Sequence, residues 1–248
     1  MMSKLLEPGF EGDGELTWAL RSEFAKGFPV ENLRPLLVSS NARTQAAAVF
    51  IAVEIGSRLL SFRLNCVVAE IAELLDSKES RTRFDAIEAL GRCTTPADGA
   101  ILGRVMLRLD DEHAGVRWKV VEFICIAERW QLRLAVENAA ALRPDSAFGA
   151  LVNAYGQHFM PSSRDLPRLL NHPDALLRRF AAAVAIRPRD VIVERFVAMA
   201  EQSDDAEVRK IAADCRQGYL RPTYAIGPSI LKRASSETSK GETQNNGR

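Results

Sequence analysis

The chain lacks most of the signatures that announce chemistry. Its four cysteines, Cys66, Cys93, Cys125 and Cys215, form no Cys-x-x-Cys pair. Each stands among apolar helical positions, where a thiol serves as a small hydrophobe, so neither a disulfide framework nor a Cys-based metal site is expected. Its three histidines, His113, His158 and His172, are scattered and none is followed by Glu, which removes a repeated His-Glu ligand set. No Ser/His/Asp or Cys/His arrangement stands out, and no glycine stretch matches the GxxxxGK[ST] phosphate loop. No cofactor and no metal are therefore expected. No apolar run approaches the roughly 20 residues that span a bilayer, and MMSKLLEPGFEGDGE lacks the apolar stretch of a secretory leader, so a cytoplasmic chain without membrane contact is expected. The formal charge of +1 over 248 residues supplies no global field for nucleic acid. With 47% hydrophobic residues the chain can still bury a substantial core.

What is present is repetition. DALLRRFAAAVAI, from Asp174 to Ile186, places an acid at a helix start, Leu177 and Arg178 three and four residues on, and alanines behind them. The same grammar returns as DAEVRKIAADC from Asp205, with Val208, Arg209, Ala212 and Cys215. Fainter copies centre on Arg43, Arg83, Arg117 and Gly149, so the anchors 43, 83, 117, 149, 178 and 209 lie 40, 34, 32, 29 and 31 residues apart. A period near 30 indicates tandem structural units. Each unit reads as two helices, the anchored one second. The first helices are expected at Ala97 to Leu109, Leu132 to Leu142 and Arg189 to Ala200, punctuated by prolines such as Pro96, Pro144 and Pro173. Apolar residues recur every three or four positions, as in Val116, Val120, Phe123 and Ile124, and no sustained alternation suggests a strand.

These copies resemble the HEAT and HEAT-like (PBS-lyase type) repeat family, whose second helix carries D-x-x-V-R-x-x-A-x-x-A-L. The resemblance covers about residues 32 to 218. It implies an all-α, right-handed α-α superhelix of about six two-helix repeats. It also implies that Asp174, Arg178, Asp205, Arg209, Arg83 and Arg117 belong to a hydrogen-bonded ladder between neighbouring units. The acid has a local task as well, since an Asp at a helix start satisfies orphan N–H groups and stabilises by roughly 0.5–2 kcal/mol.

The expected organisation is a cap region over 1–31, a solenoid over 32–219 and a tail over 220–248, disordered after about residue 232. Glu15 to Lys26, with Trp18, Leu20 and Phe24, is the expected capping helix. Trp130 is expected to anchor an inter-helix turn.

Function is sought on side chains that the core does not use. If positions three and six beyond each anchor point inward, positions one and five line a second surface, which in this family is commonly the concave wall. The first column reads Thr44, Phe84, Trp118, Ala150, Arg179 and Lys210; the second reads Ala48, Glu88, Glu122, Ala154, Ala183 and Asp214. Phe84, Glu88, Trp118, Glu122, Arg179 and Lys210 are the candidate binding patch, its aromatic and acidic members suited to a cationic or amphipathic segment. The expected function is a non-enzymatic module binding a protein or peptide: an adaptor, a regulator or an immunity-type inhibitor. A HEAT-like DNA glycosylase using Trp118 with Arg179 and Lys210 is the alternative, opposed by the near-neutral charge and by Glu88 and Glu122. Bilin-lyase-like handling of a tetrapyrrole is a further one.

Overall fold

The computed structural model describes residues 1–7, 9–56, 61–156, 161–187 and 193–220. The tail expected over 220–248 lies, after Leu220, outside the described residues. The described residues form helices and turns with no strand, arranged as an N-terminal cap and helix pairs.

The cap consists of α1 (Met2–Leu5) and α2 (Gly14–Lys26). Asp13 starts α2 by accepting the Leu16 amide, and Gly27 ends it at φ 115°, a left-handed value that glycine adopts without strain. Leu20 and Phe24 are buried against the array, where α2 packs on α4 (Ala42–Ile55). Trp18 stays half exposed, edge-on to Phe50.

The pairs then follow in chain order. A single turn at Val30–Leu33 and α3 (Arg34–Leu37) precede α4, and turns around α5 (Val68–Glu73) precede α6 (Ser80–Cys93). Next come α7 (Gly99–Leu107) with α8 (Ala114–Ile126), then α9 (Arg129–Leu142) with α10 (Ala147–Tyr155). The last pairs are α11 (Leu166–Leu170) with α12 (Ala175–Ala185), and α13 (Val193–Glu201) with α14 (Ala206–Arg216). Five of the second helices begin with a side-chain cap, and α6, which follows Glu79, begins without one. Asn41, Ser146, Asp174 and Asp205 accept amides of the first turn through side-chain oxygens, and His113 does so through Nδ1.

One core runs through the array. Leu177, Phe180, Ala181 and Val184 of α12 are buried, as are Val116, Val120, Phe123 and Ile124 of α8. Each such large side chain stabilises by roughly 1.5–3 kcal/mol when removed from water.

The stacking departs from a uniform row at the fourth pair. α4, α6 and α8 stack in succession, but the helix packed next on α8 is α12, and α10 lies chiefly on α9. Two close approaches at glycines accompany the step. Gly103 on α7 lets α9 press close, since a Cβ there would stand 2.7 Å from the Asn138 backbone. Gly149 occupies the anchor position held by arginine in the other copies, and the Pro144 carbonyl fills its space so closely that a Cβ would meet that oxygen at 1.8 Å. Where the arginines clasp the preceding loop, this loop collapses onto the helix instead.

With α10 displaced, the C-terminal pairs curl against α8. Arg187, 6% exposed, donates to the Ile124 and Ala127 carbonyls at the end of α8. Phe148 of α10 meets Phe180 of α12 edge-on at 5.5 Å.

Candidate functional site

Four anchor arginines, Arg83, Arg117, Arg178 and Arg209, share one geometry, whereas Arg43 of the first copy is exposed. Arg83 Nη1 donates to the Ser77 and Lys78 carbonyls, Arg117 Nη1 to those of Asp111 and Glu112, and Arg178 Nη1 to those of His172 and Pro173. Arg209 donates to Ser203 in the same way. The remaining guanidinium edge reaches the following pair: Arg83 bonds Asp111 twice, at 2.9 and 2.8 Å, and Arg178 bonds Asp205 at 2.8 Å. Burial disfavours ionisation of Asp111, but the Arg83 guanidinium, the His113 amide and Arg108 outweigh it and hold the carboxyl below the ordinary range. Asp205 is held low in the same way: Arg178 and the Glu207 and Val208 amides outweigh its burial. Asp174 accepts the Leu176 amide and, among the described residues, receives no arginine from the preceding pair, whose anchor is Gly149.

Arg117 breaks the sequence of rungs. With the fourth pair displaced, its Nε and Nη2 reach Glu207 on α14, 90 residues away, the Nε contact being 2.7 Å. Arg179 Nε approaches the other oxygen of Glu207 at 2.5 Å. A single carboxylate thus ties α8, α12 and α14 together.

The two columns are divided by this curl. In the first pair Thr44 and Ala48 are buried, and Thr44 donates to the Leu5 carbonyl of the cap. Ala150 and Ala154 are exposed on the displaced α10. Ala183 and Asp214 are buried, because α12 packs on α8 and Asp214 accepts the Trp118 Nε1–H at 2.9 Å.

Phe84, Glu88 and Glu122 gather around a residue that the column reading left out, Lys119. Its ammonium lies 4.3 Å from the Phe84 ring centroid and 5.7 Å from that of Trp118. It donates to Glu88 at 3.0 Å and also to Glu122, and it is 6% exposed. The cation beside the aromatic and acidic residues is the chain's own. A sequence signal for it exists: position two beyond the anchor is charged in two adjacent copies, Asp85 and Lys119, where the other copies have Gln45, Leu151, Phe180 and Ile211. The two do not pair with each other: Arg81 donates to Asp85 at 3.0 Å, whereas Lys119 takes Glu88 and Glu122. Burial, only partly offset by Arg81, pushes the Asp85 carboxyl above its ordinary value.

Trp118, Arg179 and Lys210 meet elsewhere, around a partly open cavity of about 250 Å³ between α8, α12 and α14. Leu109, Val121 and Ile211 supply its apolar lining, with Arg117 and Glu207 alongside. Lys210 donates to Asp214 at 2.6 Å while its side chain stays 64% exposed. Trp130, partly buried, packs against the core at the start of α9.

No helix among the described residues is long and apolar enough to cross a membrane. No family model and no curated protein matches the sequence. Among solved structures, a designed armadillo repeat protein in complex with the peptide (KR)4 is similar at 16% identity, covering 87% of this chain and 97% of that one, with a TM-score of 0.46. An engineered protein is similar at 20% identity, covering 86% and 94% of the two chains, with a TM-score of 0.42.

Proposed function

We propose that this chain is a HEAT-like, non-enzymatic binding module that holds a protein or peptide segment in the groove between α8, α12 and α14. The observation that carries the reading is the convergence of Trp118, Arg179 and Lys210, side chains of three different repeats, on the mouth of one apolar cavity. A pocket that combines an indole, an aliphatic floor and rim charges suits an anchor side chain with polar neighbours. Phe84, Glu88 and Glu122 belong to the wall: through Lys119 they fix the face of α8 that presents Trp118. An adaptor, a regulator and an immunity-type inhibitor would all use such a groove.

The test is site-specific cross-linking. A photoreactive residue in place of Lys210 should capture a discrete protein from native lysate, and Trp118→Ala should abolish the capture while leaving helix content intact. The same probe at Arg133, on the outer helix α9, should capture nothing above background. Equal capture at both positions would remove the groove from consideration. Tight DNA binding at low salt that collapses steeply as salt rises would favour the glycosylase alternative instead.

A further inference from the structure

The sequence suggests an acidic patch awaiting a cationic partner, but the charges around the groove are arranged the other way. Glu88 and Glu122 are engaged by Lys119, and Glu88 also by Arg92. At the cavity itself both oxygens of Glu207 are taken, one by Arg117 and one by Arg179. Asp214 lies 7% exposed beneath Trp118 and Lys210, which both donate to it. The carboxylates lining the cavity are thus withdrawn or occupied.

The donors are not all used. Arg179 makes one long hydrogen bond, from Nη1 to the Leu109 carbonyl at 3.4 Å, while its Nε has no hydrogen-bond partner among the described residues, and Lys210 spends one of its three ammonium protons on Asp214. Asp110, next to Leu109 of the lining, is a further acid nearby, 65% exposed and 3.9 Å from Arg179 without a hydrogen bond. Such a solvated pair is worth little, so Asp110 does not occupy the guanidinium as Glu207 does. Between these donors lies an apolar floor of Leu109, Val121 and Ile211.

Resting on the groove reading above, we infer that the occupant is a peptide segment in which a large apolar side chain stands next to a carboxylate. The apolar side chain fills the cavity beside Trp118, and the carboxylate meets Arg179 and Lys210 at the mouth. Among the described residues, a lysine or arginine in that place would meet carboxylates already engaged by Arg117, Arg179 and Lys210, apart from Asp110.

A random-peptide display selection on the full-length chain tests this, with the enriched peptides resynthesised and titrated by fluorescence anisotropy. Enriched peptides should pair an aromatic or large aliphatic residue with Asp or Glu. Lys210→Glu should weaken them about tenfold, and Asp110→Asn should tighten them about twofold, as rim charges do at other interfaces. Both substitutions are at exposed positions, so circular dichroism should show an unchanged fold. Enrichment of Lys- or Arg-bearing peptides, or acidic peptides indifferent to Lys210→Glu, would overturn the charge assignment while leaving the groove reading standing. Peptides that bind Trp118→Ala as well as the wild type, or no enrichment at all, would overturn both.

Discussion

Arg83→Met is the sharpest probe of the ladder. Arg83 is 4% exposed, its partner Asp111 is 7% exposed, and two hydrogen bonds join them. Methionine keeps much of the aliphatic stem but removes the charge, the clasp on the Ser77 and Lys78 carbonyls, and both bonds to Asp111. Breaking a buried pair from one side typically costs about 3–5 kcal/mol, because it strands a charge. Here Arg108, 3.6 Å from Asp111, and the His113 amide remain, which places the loss at the lower end, about 3 kcal/mol. For a domain of this size that lowers Tm by about 6–12 °C, read by urea and thermal unfolding at 222 nm.

The pH dependence has a definite sign. Asp111 titrates below its ordinary value in the folded chain, so the pair's contribution is complete above the unfolded pKa of about 3.9 and is lost as pH falls through the folded one. The stability gap between wild type and Arg83→Met should therefore be constant near neutrality and close in acid below about pH 4. Replacing both partners, as Arg83→Met with Asp111→Leu, should recover most of the loss. A loss under about 1 kcal/mol, the value of exposed pairs such as Lys26–Glu23, would refute the reasoning.

Three further outcomes are expected. Gly149→Ala should destabilise by about 1–3 kcal/mol despite alanine's better helix propensity, because its Cβ collides with the Pro144 carbonyl; a stabilised variant in a melting experiment would contradict the loop collapse. Glu207→Gln should loosen the curl by releasing Arg117 and Arg179, raising hydrogen exchange in α14 while leaving α4 and α6 unchanged; uniform exchange across the chain would show that the carboxylate ties nothing. Alkylation under native conditions should reach the partly exposed Cys66 and Cys215 well before the buried Cys93 and Cys125, whose thiols burial pushes up, Cys93 to about 12. Mass spectrometry of a timed reaction reads the order.

The helix pairs were legible in the chain itself because their determinants are local. A capping side chain at Asp174 or Asp205, an apolar residue three positions on and small residues behind them act within one or two turns, so a single copy reveals the unit and the period reveals the array. The capping helix was readable for the same reason: Leu20 and Phe24 lie one turn apart on the face it buries. How the units sit on one another depends on contacts between segments 60 to 96 residues apart, for which no periodicity exists. Gly149 reads in the sequence as a missing arginine, whereas in the folded chain it admits a loop carbonyl and α12 stacks on α8. That step decided which column residues meet: Trp118, Arg179 and Lys210 at one cavity, and Phe84, Glu88 and Glu122 around Lys119. Helix formation is settled by neighbours along the chain, but the pairing of charges and the opening of a pocket are settled by which distant surfaces close-packing brings into contact.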